Sequence, residues 1–177
     1  MTTMSKIILE TPRLILREFS PEADAEGFFE LNNDPEVLRY TGDLSFESVD
    51  DARTFLENYP QYRLRGYGRW GTILKETGEF LGWCGLRFME DLGGTDVGYR
   101  FHRRHWGQGY ATEAARASVV YGFEQLGLET ILGQSAKENV ASIRVLEKIG
   151  LQYWHDTDLA GMPAVLYKAE ATTFRTR

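Results

Sequence analysis

The sequence predicts an α/β fold of the mixed α+β kind, read as one unit over residues 1–177. Three observations predict it. Three short β-patterned runs follow one another between residues 68 and 101 and form an antiparallel set. A long helical run with a small-residue face comes next. The chain then alternates strand, helix and a closing hairpin, for a coarse order of β, α, α, β, β, β, α, β, α, β, β.

Taken in order, Leu14 to Arg17 is the first strand, entered after Pro12 within Ile7 to Glu18. Ser20-Pro21 starts a helix, a capping hydroxyl followed by proline at the first helical position. This helix runs to about Leu31, with Phe28 and Phe29 among its inward candidates, until Asn33-Asp34-Pro35 breaks it. Glu36 to Leu44 reads as a connection. From Ser48, Val49, Ala52, Phe55, Leu56 and Tyr59 recur at helical spacing until Pro60, and Gln61 to Arg65 adds a turn. Gly68 to Lys75 and Phe80 to Phe88 are strands joined by the turn residues Glu76-Thr77-Gly78-Glu79. Gly93-Gly94 leads into a third strand, Thr95 to Phe101. From Tyr110 the period becomes helical, with Ala111, Ala114, Ala115, Ser118, Val119, Gly122 and Leu126 on one face and Gly127 as the stop. Thr130 to Ser135 is a strand. Asn139 caps a short helix, Val140 to Ile149, which Gly150 ends. Leu151 to His155 and Pro163 to Ala169 form the last hairpin.

Composition sets bounds. With 177 residues, 42% hydrophobic and 26% charged, the chain is long enough for a real core. One cysteine, Cys84, allows no intramolecular disulfide, and no metal-ligand cluster is visible. No run is long and apolar enough for a membrane span, and Met1 to Leu9 lacks a signal-peptide layout, so the cytoplasm is the expected location. A net charge of −6 argues against nucleic acid as a direct partner and mildly favours cationic acceptors. No interface is marked, which leaves monomer and homodimer open.

Arg100 to Gly109 carries the densest chemistry. Gly107 and Gly109 let backbone N–H groups turn inward, and the helix that follows aims its partial positive end at the same place. Arg100, His102, Arg103, Arg104 and His105 crowd beside them. The functional reading is a site for a phosphorylated ligand; the bland one is a tight turn with solvated arginines. A nucleotide-triphosphatase loop, GxxxxGK[ST], is absent. GQGYAT departs from the dinucleotide fingerprint at Thr112 and is separated from its strand by RRHW.

The pattern Arg104-x-x-Gly107-x-Gly109 resembles the acetyl-coenzyme A pyrophosphate loop of the GNAT superfamily of N-acetyltransferases. HWGQGYATEA is similar to its RimJ/RimL-type branch, and NVASIRVLEKIG, residues 139–150, resembles the family's N-x-x-S segment. The resemblance spans about residues 12 to 170. It implies a mostly antiparallel, splayed central sheet of about seven strands flanked by four helices, with acetyl-CoA in the opening and no metal. The implied reaction is direct acetyl transfer to a primary amine in a ternary complex. Arg104, Trp106, Gly107, Gln108, Gly109, Tyr110 and Ala111 would cradle the pyrophosphate. Tyr99, Arg100, Phe101 and His102 would meet the pantetheine arm and supply an oxyanion donor, with Asn139 on the other side. Ser142 would protonate the departing thiolate, and Asp96 stands where relatives often carry a glutamate base.

Each role has a plainer reading. Asn139 is a helix cap, Ser142 a first-turn serine and Asp96 a solvent-facing strand residue. His102 and His105 contact cofactor or solvent, and Cys84 is a small buried strand residue. The resemblance puts the acceptor among Asn33 to Tyr40, the region near Trp70 and Trp83, and Thr157 to Met162, where Asp156 and Asp158 are available to an ammonium group. A peptide or protein α-amine is the first expectation. Polyamines, amino sugars and amino acids are the alternative, and a non-catalytic coenzyme A sensor or a nucleic-acid module belongs to another class.

Overall fold

The computed structural model describes residues 5–174. Eight strands form one sheet: β1 (Ile7–Glu10), β2 (Leu14–Arg17), β3 (Arg69–Leu74), β4 (Phe80–Met89), β5 (Gly94–Phe101), β6 (Thr130–Ala136), β7 (Gln152–Leu159) and β8 (Met162–Glu170). Their spatial order is β1-β2-β3-β4-β5-β6-β8-β7. Every neighbouring pair is antiparallel except β5 and β6. Four helices span nine residues or more: α1 (Pro21–Leu31), α3 (Val49–Glu57), α5 (Tyr110–Glu124) and α6 (Val140–Lys148). Two one-turn helices, α2 (Pro35–Leu38) and α4 (Gln61–Arg65), and a 3-10 turn at Arg103–His105 complete the set among the described residues.

The predicted strands are therefore present, with β1 as an eighth. Pro12 and Ser20-Pro21 act as expected, and Ser20 Oγ accepts the Ala23 amide. The stretch expected as a connection holds α2, capped by Asp34, whose side chain accepts from the Glu36 amide. Asp34-Pro35 both ends α1 and starts this turn, since proline needs no N–H at a first helical position.

Two apolar layers cover the sheet. On one face Trp70, Leu86 and Val97 pack beneath α5, against its Val119, with Ile131 and Leu146. The small face of α5 is buried at Ala114, Ala115, Ser118 and Gly122, so that helix lies close on the strands. On the other face Phe19, Phe28, Ala52 and Leu56 join α1 and α3, with Phe46, Tyr59, Tyr62 and Trp83 against them. Cys84 is fully buried, and burial pushes its thiol up to about 12, which fits an inert packing role.

The parallel junction creates the opening. A parallel connection needs a long crossover, which α5 provides. β5 and β6 pair at Asp96 and Leu132 alone. Beyond that point β5 stays bonded to β4 through Phe101, and β6 to β8 through Ala136. Each half keeps its own strand, and the sheet parts between Tyr99 and the start of α6.

Candidate active site

Strand alternation decides what faces the opening. The His102 amide donates to the Leu81 carbonyl on β4 at 3.0 Å. In an antiparallel ladder successive residues point opposite ways, so the backbone groups of Arg100 also face β4, and those of Tyr99 and Phe101 face away from it. Trp106 Nε1 confirms the direction by donating to the Phe101 carbonyl at 2.8 Å. Two backbone N–H groups, on Tyr99 and Phe101, thus line the gap.

At its far end Gly107 and Gly109 have φ of 75° and 81°. Gly109 is the N-cap of α5 and provides no side-chain cap, so the first-turn amides of a 15-residue helix stay open to a ligand. Arg13 Nη1 donates to the Gln108 carbonyl at 2.9 Å and fixes its direction. Carbonyl and N–H oppose each other across a trans peptide, so the Gly109 N–H points away from Arg13. Arg13 is itself fixed by Glu113, whose Oε2 accepts Nε at 2.6 Å. Bare amides, a helix terminus and free strand N–H groups suit the diphosphate and amide-bearing arm of coenzyme A.

On the other lip, Tyr99 Oη donates to the Ser142 carbonyl at 2.7 Å and lies 3.1 Å from Ser142 Oγ. Its single proton is spent on the carbonyl, so Ser142 Oγ–H is the donor in the second bond. Burial pushes the Tyr99 phenol up, which keeps it protonated at neutral pH. Asn139 Oδ1 accepts the Ser142 amide at 3.3 Å, so the cap and the inward serine form one unit.

A cavity of about 550 Å³ opens from this point onto the α1/α3 face of the sheet. Phe19, Phe28, Phe46, Phe55 and Tyr59 wall it, and Trp83 lies on its floor. Its charged lining is three arginines, Arg69, Arg87 and Arg100, and two aspartates, Asp43 and Asp96. Arg69 Nη2 donates to Asp96 Oδ1 at 2.7 Å. Arg100 donates to Asp43 Oδ2 at 2.6 Å and also to Asn32 Oδ1. Both guanidinium carbons lie 5.2 Å from the Trp83 ring centroid, within cation–π range. Gly98 permits this layer, since a Cβ there would come within 2.6 Å of the Arg69 guanidinium.

Several expected positions shift. The side chain of Arg100 serves the cavity and its amide serves β4, so neither is presented to a pantetheine arm. His102 is buried against Phe80, with Nε2 unpartnered among the described residues; burial first, then Arg104, pulls its imidazole down. Arg104 is tied to Glu79 at 3.1 Å, and His105 Nε2 lies 3.2 Å from the same carboxylate. Desolvation raises the Glu79 carboxyl, but hydrogen bonds from Arg104 and His105 outweigh it and hold it low. The Phe101 ring is core, and the Tyr110 ring sits buried under Arg13, 4.4 Å from its guanidinium carbon. Ala111 lies in the first turn of α5, where its amide, not its side chain, faces the loop.

The acceptor-side expectations change as well. Trp70 is fully buried beneath α5 and takes no part in the cavity. Asp156 is occupied by Lys137 and Tyr153, Asp158 accepts the Gly161 amide through one oxygen, and neither lines the cavity. Asp96 is buried, not solvent-facing, and one of its oxygens is committed to Arg69. The arginine layer was hidden in the sequence, because its members come from three strands.

Among the described residues no group of three or more His, Cys, Asp or Glu is placed to hold a metal, and no helix is long and apolar enough to cross a membrane.

Comparison with known proteins agrees with this geometry. The acetyltransferase (GNAT) domain family matches residues 13–152. The uncharacterised N-acetyltransferase p20 of Bacillus licheniformis is 36% identical over 146 residues, 81% of this chain and 82% of the relative. FsC-acetyl coenzyme A-N(2)-transacetylase of Aspergillus fumigatus is 34% identical over 166 residues, 86% of this chain and 68% of that protein. A GNAT-family acetyltransferase structure from Bacillus anthracis superposes with a TM-score of 0.78 at 26% identity, covering 94% and 98% of the two chains. With its parted sheet, its open α5 terminus and these relatives, the chain belongs to the GNAT acetyltransferases, in the RimJ/RimL-like branch, and is an acetyl-CoA-dependent N-acetyltransferase.

Proposed function

We propose that the acceptor is an α-amine, foremost the N-terminus of a peptide or protein, acetylated by direct attack while both substrates are held together. The observation that carries this reading is the charge of the cavity. Three arginines face two aspartates, and both aspartates are already paired. A surplus of positive charge disfavours an ammonium guest and favours a neutral amine. An α-amine, with an ordinary pKa of about 7.7–8, reaches the neutral form far more readily than a lysine-like amine at about 10.4. A polyamine would bring a second cation into the same cavity. This reverses the cationic-acceptor preference drawn from the net charge: the acidic residues lie elsewhere.

Roles follow from placement. Gly107, Gly109 and the first-turn amides of α5 hold the pyrophosphate, and Tyr99 N–H and Asn139 Nδ2 flank the arm. When bound, acetyl-CoA supplies an activated acetyl thioester. Tyr99 N–H, aimed into the gap, stabilises negative charge developing on the carbonyl oxygen. Ser142 Oγ–H, turning from Tyr99 Oη to the leaving sulfur, gives it a proton and regains one from solvent, while the Tyr99 phenol, bonded to the Ser142 carbonyl, positions the residue. The amine's own proton leaves through solvent. Asp96, bound to Arg69, organises the cavity floor instead of acting as the base.

The Aspergillus relative supports a second reading, a small-molecule amine, because its name describes transfer to an N(2) nitrogen of FsC. Both readings place the amine at the same nitrogen-accepting point. The test is a peptide with a free α-amine and an internal lysine, incubated with acetyl-CoA and mapped by mass spectrometry. Acetyl on the α-nitrogen is expected; acetyl on the lysine side chain would contradict the charge argument.

A further inference from the structure

We propose that Arg87 is an anion subsite, and that the preferred acceptor is an α-amine carrying a carboxylate near its amino end. This rests on the α-amine reading. Register places Arg87 opposite Asp96 on β5, on the same sheet face as Trp83, Gly98 and Arg100. Asp96 does not pair with it, because Arg69 has taken that carboxylate. Arg100 is satisfied by Asp43 and Asn32. Arg87 lines the cavity, is exposed, and makes no hydrogen bond or ion pair among the described residues. An unmatched guanidinium in a chain of net charge −6 is a fork of donors with its geometry set for a carboxylate.

Distance sets where that carboxylate sits. The Arg87–Asp96 pair is three strand residues from Tyr99, about 10 Å at the usual rise. An extended peptide covers roughly 3.3–3.6 Å per residue, so an anion on Arg87 lies within about three residues of the reacting nitrogen. Two sources present this chemistry: an acidic side chain close to a peptide N-terminus, or the terminal carboxylate of a short amino acid derivative. The aromatic wall beside Arg87 accepts the intervening apolar atoms in either case.

The experiment compares isosteric pairs by kcat/KM. One arm uses hexapeptides differing only as Asp against Asn, or Glu against Gln, at the second residue. The other uses di- and tripeptides as free acids against C-terminal amides. The acidic member of at least one arm is expected to be favoured about tenfold or more, the scale of one charge-assisted bond. Arg87→Ala should collapse that ratio toward one through KM, and Arg87→Lys should keep part of it. Preference in the first arm alone identifies an acidic peptide; preference in the second alone identifies a small acid. Equal use of both members in both arms, or a ratio that survives Arg87→Ala, overturns the subsite and leaves the α-amine reading standing. Transfer to linear diamines with none to any α-amine overturns both.

Discussion

Ser142→Ala is expected to lower kcat about a hundredfold or more, with the KM for acetyl-CoA changed little. General acid catalysis contributes about 10²–10⁴ in rate, and Ser142 Oγ–H is the donor set on the lip of the opening. The backbone should hold in this variant. Tyr99 Oη still has the carbonyl of residue 142 to bond, and Asn139 still caps the helix through the amide. Tyr99→Phe removes the phenol from both bonds and should cost roughly tenfold in kcat, because the serine keeps its proton but loses its orientation. Steady-state kinetics on the two variants measures this. Unchanged kcat in Ser142→Ala removes the serine from the chemistry and leaves its role as part of the α6 cap.

Arg69→Ala is expected to be the most destabilising of the cavity substitutions, by about 3–5 kcal/mol. The Asp96 side chain is 6% exposed and that of Arg69 12%, so removing the arginine strands a buried carboxylate. The arginine also donates to the Gly85 and Asp96 carbonyls at 3.0 Å, and both of these bonds would be lost. Its backbone is anchored by Tyr59, whose hydroxyl accepts the Arg69 amide at 2.8 Å. The loss should appear as a lower urea midpoint. The double variant Arg69→Met/Asp96→Asn should regain part of it, because the uncompensated charge is then gone. A loss below about 1 kcal/mol would mean that water already reaches the pair.

Local signals made most of the fold legible. Ser20-Pro21, Ser48, Asn139 and Gly127 are one-residue statements about helix ends, and each acts where it stands. The long helix was readable because small residues at helical spacing leave one close-packing face, although Leu126 lies just past its end. What escaped was short: β1 is an edge strand of four residues with no buried, alternating face, unlike equally short β2, and α2 begins on residues that read as a breaker.

The site divides the same way. The glycine loop and the Asn139–Ser142 unit are contiguous and could be read directly. Arg69, Arg87 and Arg100 share a face only through the register of β3, β4 and β5, which no local pattern displays. Likewise Asp156 and Asp158 look available in sequence, and only folding shows what they hold. Tyr99 was placed as a backbone contact; its hydroxyl on Ser142 depends on how far the parted strands stand from each other.

The most direct test of the central claim is release of free coenzyme A thiol from acetyl-CoA with three acceptors at pH 7.5. These are a peptide with a free α-amine, the same peptide with that amine blocked, and a linear polyamine. Rapid release is expected with the first and only background release with the other two. Release driven by the polyamine, or by the blocked peptide as fast as the free one, would contradict it.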